Sequence, residues 1–280
     1  METLACVNGE ILPAAGKHIS PLDRGFRYGW GLFETLAVRN GRILFAREHL
    51  ARLRAGAGQL SINLSSDDRC LQGYLEACRQ ANGIRDGSLR LTVTAGPASG
   101  ETCTIVTLGP PLYTDGDYRR GFRIGVVGIR RNRHSPSVRL KTLNYLDNIL
   151  SRQEARSNGW DEGVLLNTEG LVAECSASNI FIVRQGRLFT PHADCGLLAG
   201  IVRAKVLTLA RRLGLNVSEA TLGIDDLENA EEIFLTNSVM GVMPVSYFND
   251  QPVGPSFPGP FTRKLADGYG QLVSSLASKR

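Results

Sequence analysis

Residues 139 to 150, "RLKTLNYLDNIL", place leucine at 140, 143, 146 and 150 with Ile149 beside them. That i, i+3, i+4, i+7 recurrence predicts a helix with one buried stripe. Lys141 is turned from the stripe, on a polar face shared with Asn144, Tyr145 and Asn148. The same period predicts helices over 46 to 60, 67 to 82 (stopped by Gly83), 199 to 214 and 224 to 230, with a last one after Pro260. Strand-like runs lie at 3 to 8, 11 to 16, 32 to 38, 88 to 96 and 102 to 110. They resume at 122 to 129, 162 to 167, 171 to 176, 179 to 185, 187 to 191, 216 to 222 and 231 to 238. Asn8-Gly9 and Asn40-Gly41 predict tight hairpin turns. The stretch "DRGFRYGWG" is Gly-rich and receives no element.

"GPPLYTDGDYRRG" (109 to 121) has the Pro, Gly and Asp density of a connector. It divides the chain into a small N-terminal α+β domain (1–115), a linker (116–121) and a larger α/β domain (122–280). No internal repeat is found, so the halves are different domains, and function is expected between them.

Composition narrows the classes. A chain of 280 residues with 42% apolar and 21% charged content is an ordinary globular mixture. The formal charge of +5 is dispersed, its densest block being "RRNR" at 130 to 133. That favours small anionic ligands over nucleic acid. Six cysteines form no CxxC pair and four histidines (18, 49, 134, 192) stand isolated, which argues against a disulfide or metal framework and reads the histidines as surface or cap positions. No stretch has the length of a bilayer span and no secretory leader is visible, so the expectation is a cytoplasmic protein without a membrane partner.

Four features suggest chemistry, each with a plain alternative. Lys141, off the apolar stripe, is either a reactive amine or a solvated surface lysine. Glu174 interrupts the apolar strand "LVAECS" and needs a partner if buried, which an internal salt bridge would supply equally well. Gly200 precedes an amphipathic helix whose N-terminal amides suit a phosphate, or it is a simple cap. "LTNSVMGVMPV" ends a strand in Asn237-Ser238, with hydroxyl and backbone donors on a turn, or is an ordinary strand exit. An amine, an internal carboxylate and two anion-binding turns are what pyridoxal 5′-phosphate (PLP) requires.

Six motifs carry a resemblance: "DRGFRYGWGLFET" (23–35), "EHLARL" (48–53), "KTLNYLDNIL" (141–150), "ECSASNIF" (174–181), "LLAGIVR" (197–203) and "NSVMGVMPV" (237–245). Through them the chain resembles the fold-type IV, class IV aminotransferase family, D-amino-acid aminotransferase-like in fold. The resemblance implies Lys141 as the Schiff-base lysine and acid/base, and Glu174 as partner of the pyridine nitrogen. It implies Arg52 as a phosphate-binding arginine, whose plain alternative is an i, i+4 salt bridge with Glu48. Amides of Ile201 and Val202, with Ser238 and the Val239 amide, would complete the phosphate cup; Leu198 would pack on the ring and Tyr145 would lie near O3′. Val202 departs from the family pattern, where threonine is common, so one side-chain hydroxyl to the phosphate is missing. A homodimer is also implied.

Within the family, "GLFET", "RLTVTAG" and "NSVMGVMPV" most resemble 4-amino-4-deoxychorismate lyase, an enzyme of folate biosynthesis. That implies a small anionic amino substrate, Thr35 as an assistant in elimination, and Arg27 and Arg90 for substrate carboxylates. The same arginines would serve a D-amino-acid aminotransferase. A branched-chain aminotransferase and a non-catalytic PLP-binding protein remain alternatives.

Overall fold

Two hairpin turns frame the first sheet. In the computed structural model, which describes residues 2–98 and 100–278, Asn8 and Gly9 take φ of 48° and 98°, and Asn40 and Gly41 take 48° and 74°. That left-handed pair is what a two-residue hairpin needs. The turns join β1 (Leu4–Val7) to β2 (Glu10–Pro13) and β3 (Gly31–Arg39) to β4 (Arg42–Ile43). With β5 (Gly87–Thr94) and β6 (Cys103–Leu108) they form an antiparallel sheet of order β2-β1-β6-β5-β3-β4. Helices α2 (Ala46–Gln59) and α3 (Asp68–Ala81) cover one face, packing Leu50, Leu53, Leu71 and Leu75 on Leu32, Leu36, Leu89 and Leu91. Successive strand residues face opposite ways. Glu34 therefore shares the helix-covered face with Leu32 and Leu36, whereas Phe33, Thr35 and Arg90 share the other.

The segment without a predicted element holds the short helix α1 (Arg24–Tyr28). Asp23 caps it, accepting from the Gly25 and Phe26 amides at 2.6 and 3.2 Å and from the Thr94 hydroxyl at 2.6 Å. A Cβ on Gly25 would lie 2.6 Å from Thr94 Cβ, so glycine lets the helix seat on β5.

Among the described residues, those up to Leu112, Leu140–Asn144 and those from Val273 make one compact unit; Tyr113–Arg139 and Tyr145–Leu272 make the other. The second unit opens with α4 (Asp115–Arg120), so part of the expected connector is helical, closed by a capping box between Thr114 and Asp117. There follow β7 (Phe122–Arg131), α5 (Leu146–Ser157), β8 (Glu162–Asn167), β9 (Val172–Cys175), β10 (Asn179–Arg184), β11 (Arg187–Pro191), α6 (Ile201–Arg212), β12 (Val217–Ala220) and α7 (Ile224–Glu228). The chain then runs through β13 (Glu232–Asn237), β14 (Gly241–Phe248) and β15 (Gln251–Pro252) into α8 (Pro260–Ser278), whose last turns belong to the first unit. The strands form one mixed sheet, β12-β11-β10-β13-β14-β7-β8-β9, with β15 beside β14. β8 and β9 are buried at every position and β10 and β13 at all but the last, which is why they read as apolar runs rather than alternations.

The sequence predicts a strand ending in Asn237-Ser238 and then a turn, but the chain returns as β14 despite Pro244. Pairing with β7 begins only at Val245, so the missing amide at 244 deprives no β7 acceptor.

The helix expected over 139–150 is wrong for its first half. Pro136–Arg139 make a single 3₁₀ turn, residues 140–145 are not helical, and α5 starts at Leu146. The cause is an unfilled edge. Along β3, β4 pairs only with Val38 and Arg39, which leaves the outer edge at Gly31–Phe33 open. Residues 141–143 take it: the Phe33 amide donates to Lys141 O at 2.9 Å, the Leu143 amide to Gly31 O at 3.0 Å, and Thr142 bridges Leu32. Nor is the leucine stripe buried. Leu146, Ile149 and Leu150 are 63%, 48% and 42% exposed, and α5 buries Asn148, Ser151 and Ala155 instead. Small residues serve there because the helix lies close on the sheet; a Cβ on Gly163 would come within 3.1 Å of Ser151 O. Among the described residues, no helix is long and apolar enough to cross a membrane.

Candidate active site

Lys141 owes its place to β3. Held on the strand edge, it sets Nζ 4.4 Å from the centre of the Phe33 ring. The Arg90 guanidinium lies 3.6 Å from the same ring. Thr35 stands directly opposite Arg90 in the β3–β5 register. The first unit thus gathers an amine, a guanidinium, a hydroxyl and an aromatic ring on the sheet face away from the helices. Arg27 is not among them. It is exposed on α1, its guanidinium 5.0 Å from the Tyr28 ring, and has no hydrogen bond, ion pair or ring contact with Lys141, Thr35 or Arg90.

On the opposite face of β3 the Glu34 carboxylate is 1% exposed. Arg52 on α2 grips it with both edges of a fork, Nε donating to Oε1 at 2.8 Å and Nη2 to Oε2 at 2.6 Å. His49, also 1% exposed, sets Nδ1 2.6 Å from Oε2. Burial alone would raise the Glu34 pKa, but the hydrogen bonds and charges of Arg52 and His49 outweigh it and hold the carboxyl at about 2. An ionised carboxylate only accepts, so His49 Nδ1 carries the proton. Burial chiefly, then repulsion from Arg52 and Lys141, depresses the His49 pKa despite Glu34, leaving the ring neutral. His49 is therefore a buried partner and not the surface or cap residue that isolation suggested.

In the second unit Glu174, buried on β9, is held from three sides. Arg131 Nη2 donates to Oε1 at 2.5 Å, the Leu198 amide to Oε2 at 3.2 Å and Asn179 Nδ2 to Oε2 at 3.4 Å. Asn179 also donates to Leu198 O at 2.9 Å, tying the carboxylate to the segment before α6. Tyr145 hydrogen-bonds Ser176 O at 3.4 Å, and burial, helped by the charges of Glu174 and Glu162, pushes its phenol up to about 12. It stays a donor across the physiological range.

The N-terminus of α6 has no side-chain cap, and Ile201 and Val202 supply its first amides. Gly200 is required by packing: a Cβ there would lie 2.0 Å from Asn179 Oδ1. Val202 is buried. In the turn between β13 and β14, Asn237 Oδ1 accepts from the Val239 and Met240 amides, each at 2.9 Å. The Val239 amide is thus engaged within the turn, and Ser238 brings its hydroxyl there.

Each unit holds groups of the kind PLP requires: the first a primary amine, Lys141, and a cation, Arg52; the second an uncapped α6 terminus of the type that suits a phosphate and a charge-paired carboxylate, Glu174.

Glu34, His49, Arg131 and Asn179 escaped the sequence reading. Glu34 was recoverable, since period two along residues 32 to 38 puts a carboxylate in core phase between Leu32 and Leu36, the logic that singled out Glu174. Once Glu34 is inside, His49 and Arg52, three apart on a helix, become its natural partners. Arg131 lies within the short basic block at 130 to 133, which marked no site.

Comparison with known proteins agrees over nearly the whole chain. The family model described as amino-transferase class IV matches residues 31–248. A D-alanine aminotransferase of Bacillus licheniformis is 30% identical, covering 97% of this chain and 98% of its own. An aminodeoxychorismate lyase of Bacillus subtilis is 31% identical, covering 98% and 96%. The crystal structure of a branched-chain amino acid aminotransferase from T.th. with pyridoxamine 5′-phosphate superposes with a TM-score of 0.90 at 26% identity, covering 98% and 95%.

Proposed function

The chain belongs to the class IV aminotransferases, PLP-dependent enzymes of fold type IV, and on that premise we propose that it is a 4-amino-4-deoxychorismate lyase acting in the cytoplasm. The reaction splits the substrate into 4-aminobenzoate and pyruvate. PLP, when bound, supplies an electron sink for charge developing at the amine-bearing carbon. The protein supplies placement and proton transfer.

Lys141 is the amine that carries the cofactor and then removes the proton from the amine-bearing ring carbon of the substrate. Phe33, beneath Nζ, keeps one side of that amine apolar. Glu174, oriented by Arg131, Asn179 and the Leu198 amide, keeps the pyridine nitrogen protonated, and Leu198 flanks the ring. Arg52, the Ile201 and Val202 amides and Ser238 hold the phosphate; the Val239 amide joins only if it shares its proton with Asn237. Tyr145, kept protonated, donates near O3′. Arg90 binds a substrate carboxylate, whereas the exposed Arg27 on α1 stands apart from that face.

The observation that carries the lyase assignment is Thr35. Its position opposite Arg90, on the strand face that bears Phe33, supports a hydroxyl acting together with the proposed carboxylate-binding arginine. Such a hydroxyl can assist departure of the enolpyruvyl group, whereas transamination needs only the proton shift performed by lysine. The test offers purified enzyme 4-amino-4-deoxychorismate, then a D-amino acid or a branched-chain L-amino acid with a keto acid. We expect 4-aminobenzoate and pyruvate, and a loss of that activity in Thr35→Val far exceeding any loss of residual transamination. Robust D-amino-acid transamination without 4-aminobenzoate would replace the lyase with an aminotransferase, for which Arg90 would hold the α-carboxylate.

The exposed Leu146, Ile149 and Leu150 on α5, and Leu22 and Phe26 in the first unit, support a homodimer. Sedimentation at micromolar concentration should give twice the monomer mass.

A further inference from the structure

Glu34 occupies a core position in phase with apolar residues. Its neighbours in phase along β3, Leu32 and Leu36, belong to the packed cluster beneath α2 and α3. A carboxylate there must be stripped of water and repaid by partners, and ion pairs of this kind commonly stabilise no more than well-packed apolar residues do. Stability alone therefore does not account for it. What the cluster does achieve is a fixed guanidinium. The fork from Arg52 Nε and Nη2 to the two oxygens of Glu34 sets the plane of the group, at 2.8 and 2.6 Å, and directs Nη1 away from the carboxylate. His49 Nδ1, 2.6 Å from Oε2, fixes the carboxylate in turn. Both anchoring side chains are 1% exposed, while the Arg52 side chain, 20% exposed, reaches out of the core.

We propose that Glu34 and His49 are positioning residues that aim Arg52 at the cofactor phosphate. This rests on the assignment of Arg52 to that phosphate. The neutral His49 ring adds no charge, so the cluster sums to zero and presents one oriented cation edge rather than a diffuse positive patch. A long arginine side chain otherwise surrenders considerable rotamer freedom on binding; here that ordering is done in advance.

The measurement is a cofactor-affinity ratio, not turnover. Full-length protein stripped of cofactor is titrated by absorbance with PLP and, separately, with pyridoxal, which lacks the phosphate. Loss of phosphate grip lowers affinity for PLP alone; general damage to the fold lowers both. Glu34→Gln keeps the shape but turns an amide on the Arg52 donors, and should lower the PLP-to-pyridoxal ratio by about 10- to 100-fold. His49→Leu should lower it by roughly 3- to 10-fold, and His49→Asn, which can donate from the Nδ1 position, should restore most of it.

Arg52→Ala separates the two levels of the argument. If its ratio falls and that of Glu34→Gln does not, the positioning role is overturned and the phosphate assignment stands. An unchanged ratio in Arg52→Ala overturns both. Should Glu34→Gln fail to fold, the histidine pair decides: a ratio that falls in His49→Leu and returns in His49→Asn supports the proposal, and equal ratios in the two contradict it.

Discussion

In each unit a buried carboxylate is paired with an arginine, Glu34 with Arg52 and Glu174 with Arg131, and on the proposed assignments the two pairs do opposite work. Around Glu34 the contacts are short and come from the Arg52 and His49 side chains, so the carboxylate is locked into the core, and in the proposed site the arginine is the functional partner. Around Glu174 a short bond from Arg131 is joined by longer ones from an amide and an asparagine, and in the proposed site the carboxylate is the functional partner. The same ion-pair chemistry fixes a cation in one unit and an anion in the other. On the proposed assignments, the partner that functions is the one whose counter-ion is anchored.

The largest expected effect breaks the first pair. Glu34→Leu leaves Arg52 and His49 without their shared acceptor and should cost about 3–5 kcal/mol of unfolding free energy; a shift in urea midpoint below what ~1 kcal/mol produces would mean the cluster is poorly desolvated. Glu174→Gln probes the second pair. Its volume is unchanged, so the fold should persist while turnover falls about 100-fold or more, and near-wild-type rates would make Glu174 a structural residue.

Acid sharpens the contrast further. Glu34 has a folded pKa of about 2 against an ordinary 4.5, so its stabilisation is complete above 4.5 and lost as pH falls toward 2. His49, with a pKa depressed below 6.5, acts in the same direction: the unfolded chain takes up its proton first, and stability declines as pH drops below 6.5. Urea midpoints of the wild type should therefore fall from pH 6.5 downward. His49→Asn should hold level until Glu34 begins to titrate, and identical pH profiles would refute the buried neutral histidine. The smallest effect belongs to a residue outside both pairs. Asp23→Ala removes the α1 cap and should cost about 1 kcal/mol in the same assay.

Much of this was legible in the sequence because local rules sufficed. Hairpin dipeptides, apolar runs and amphipathic helices marked most elements, and Glu174 announced itself as a charge in an apolar strand. Lys141 drew notice for a mistaken reason. Leucines at 140, 143, 146 and 150 imitate one helix, yet two structures share that spacing: an extended segment captured by the open edge of β3, and a helix whose leucines face outward. Periodicity within a segment cannot register an unfilled strand edge a hundred residues earlier. The Glu34 cluster was hidden differently. Its members look ordinary singly, and only the packing of α2 on β3 converts them into one buried charge network.

The central claim, that Lys141 carries the cofactor, admits a direct measurement. The chain has five lysines, at 17, 141, 205, 264 and 279. Purified yellow enzyme is reduced with borohydride, digested and mapped by mass spectrometry. The account predicts the phosphopyridoxyl mass on the peptide containing Lys141 and on no other, with Lys141→Ala unlabelled and inactive. A label on any of the other four lysines, or a Lys141→Ala protein that is still labelled and turns over, would contradict it.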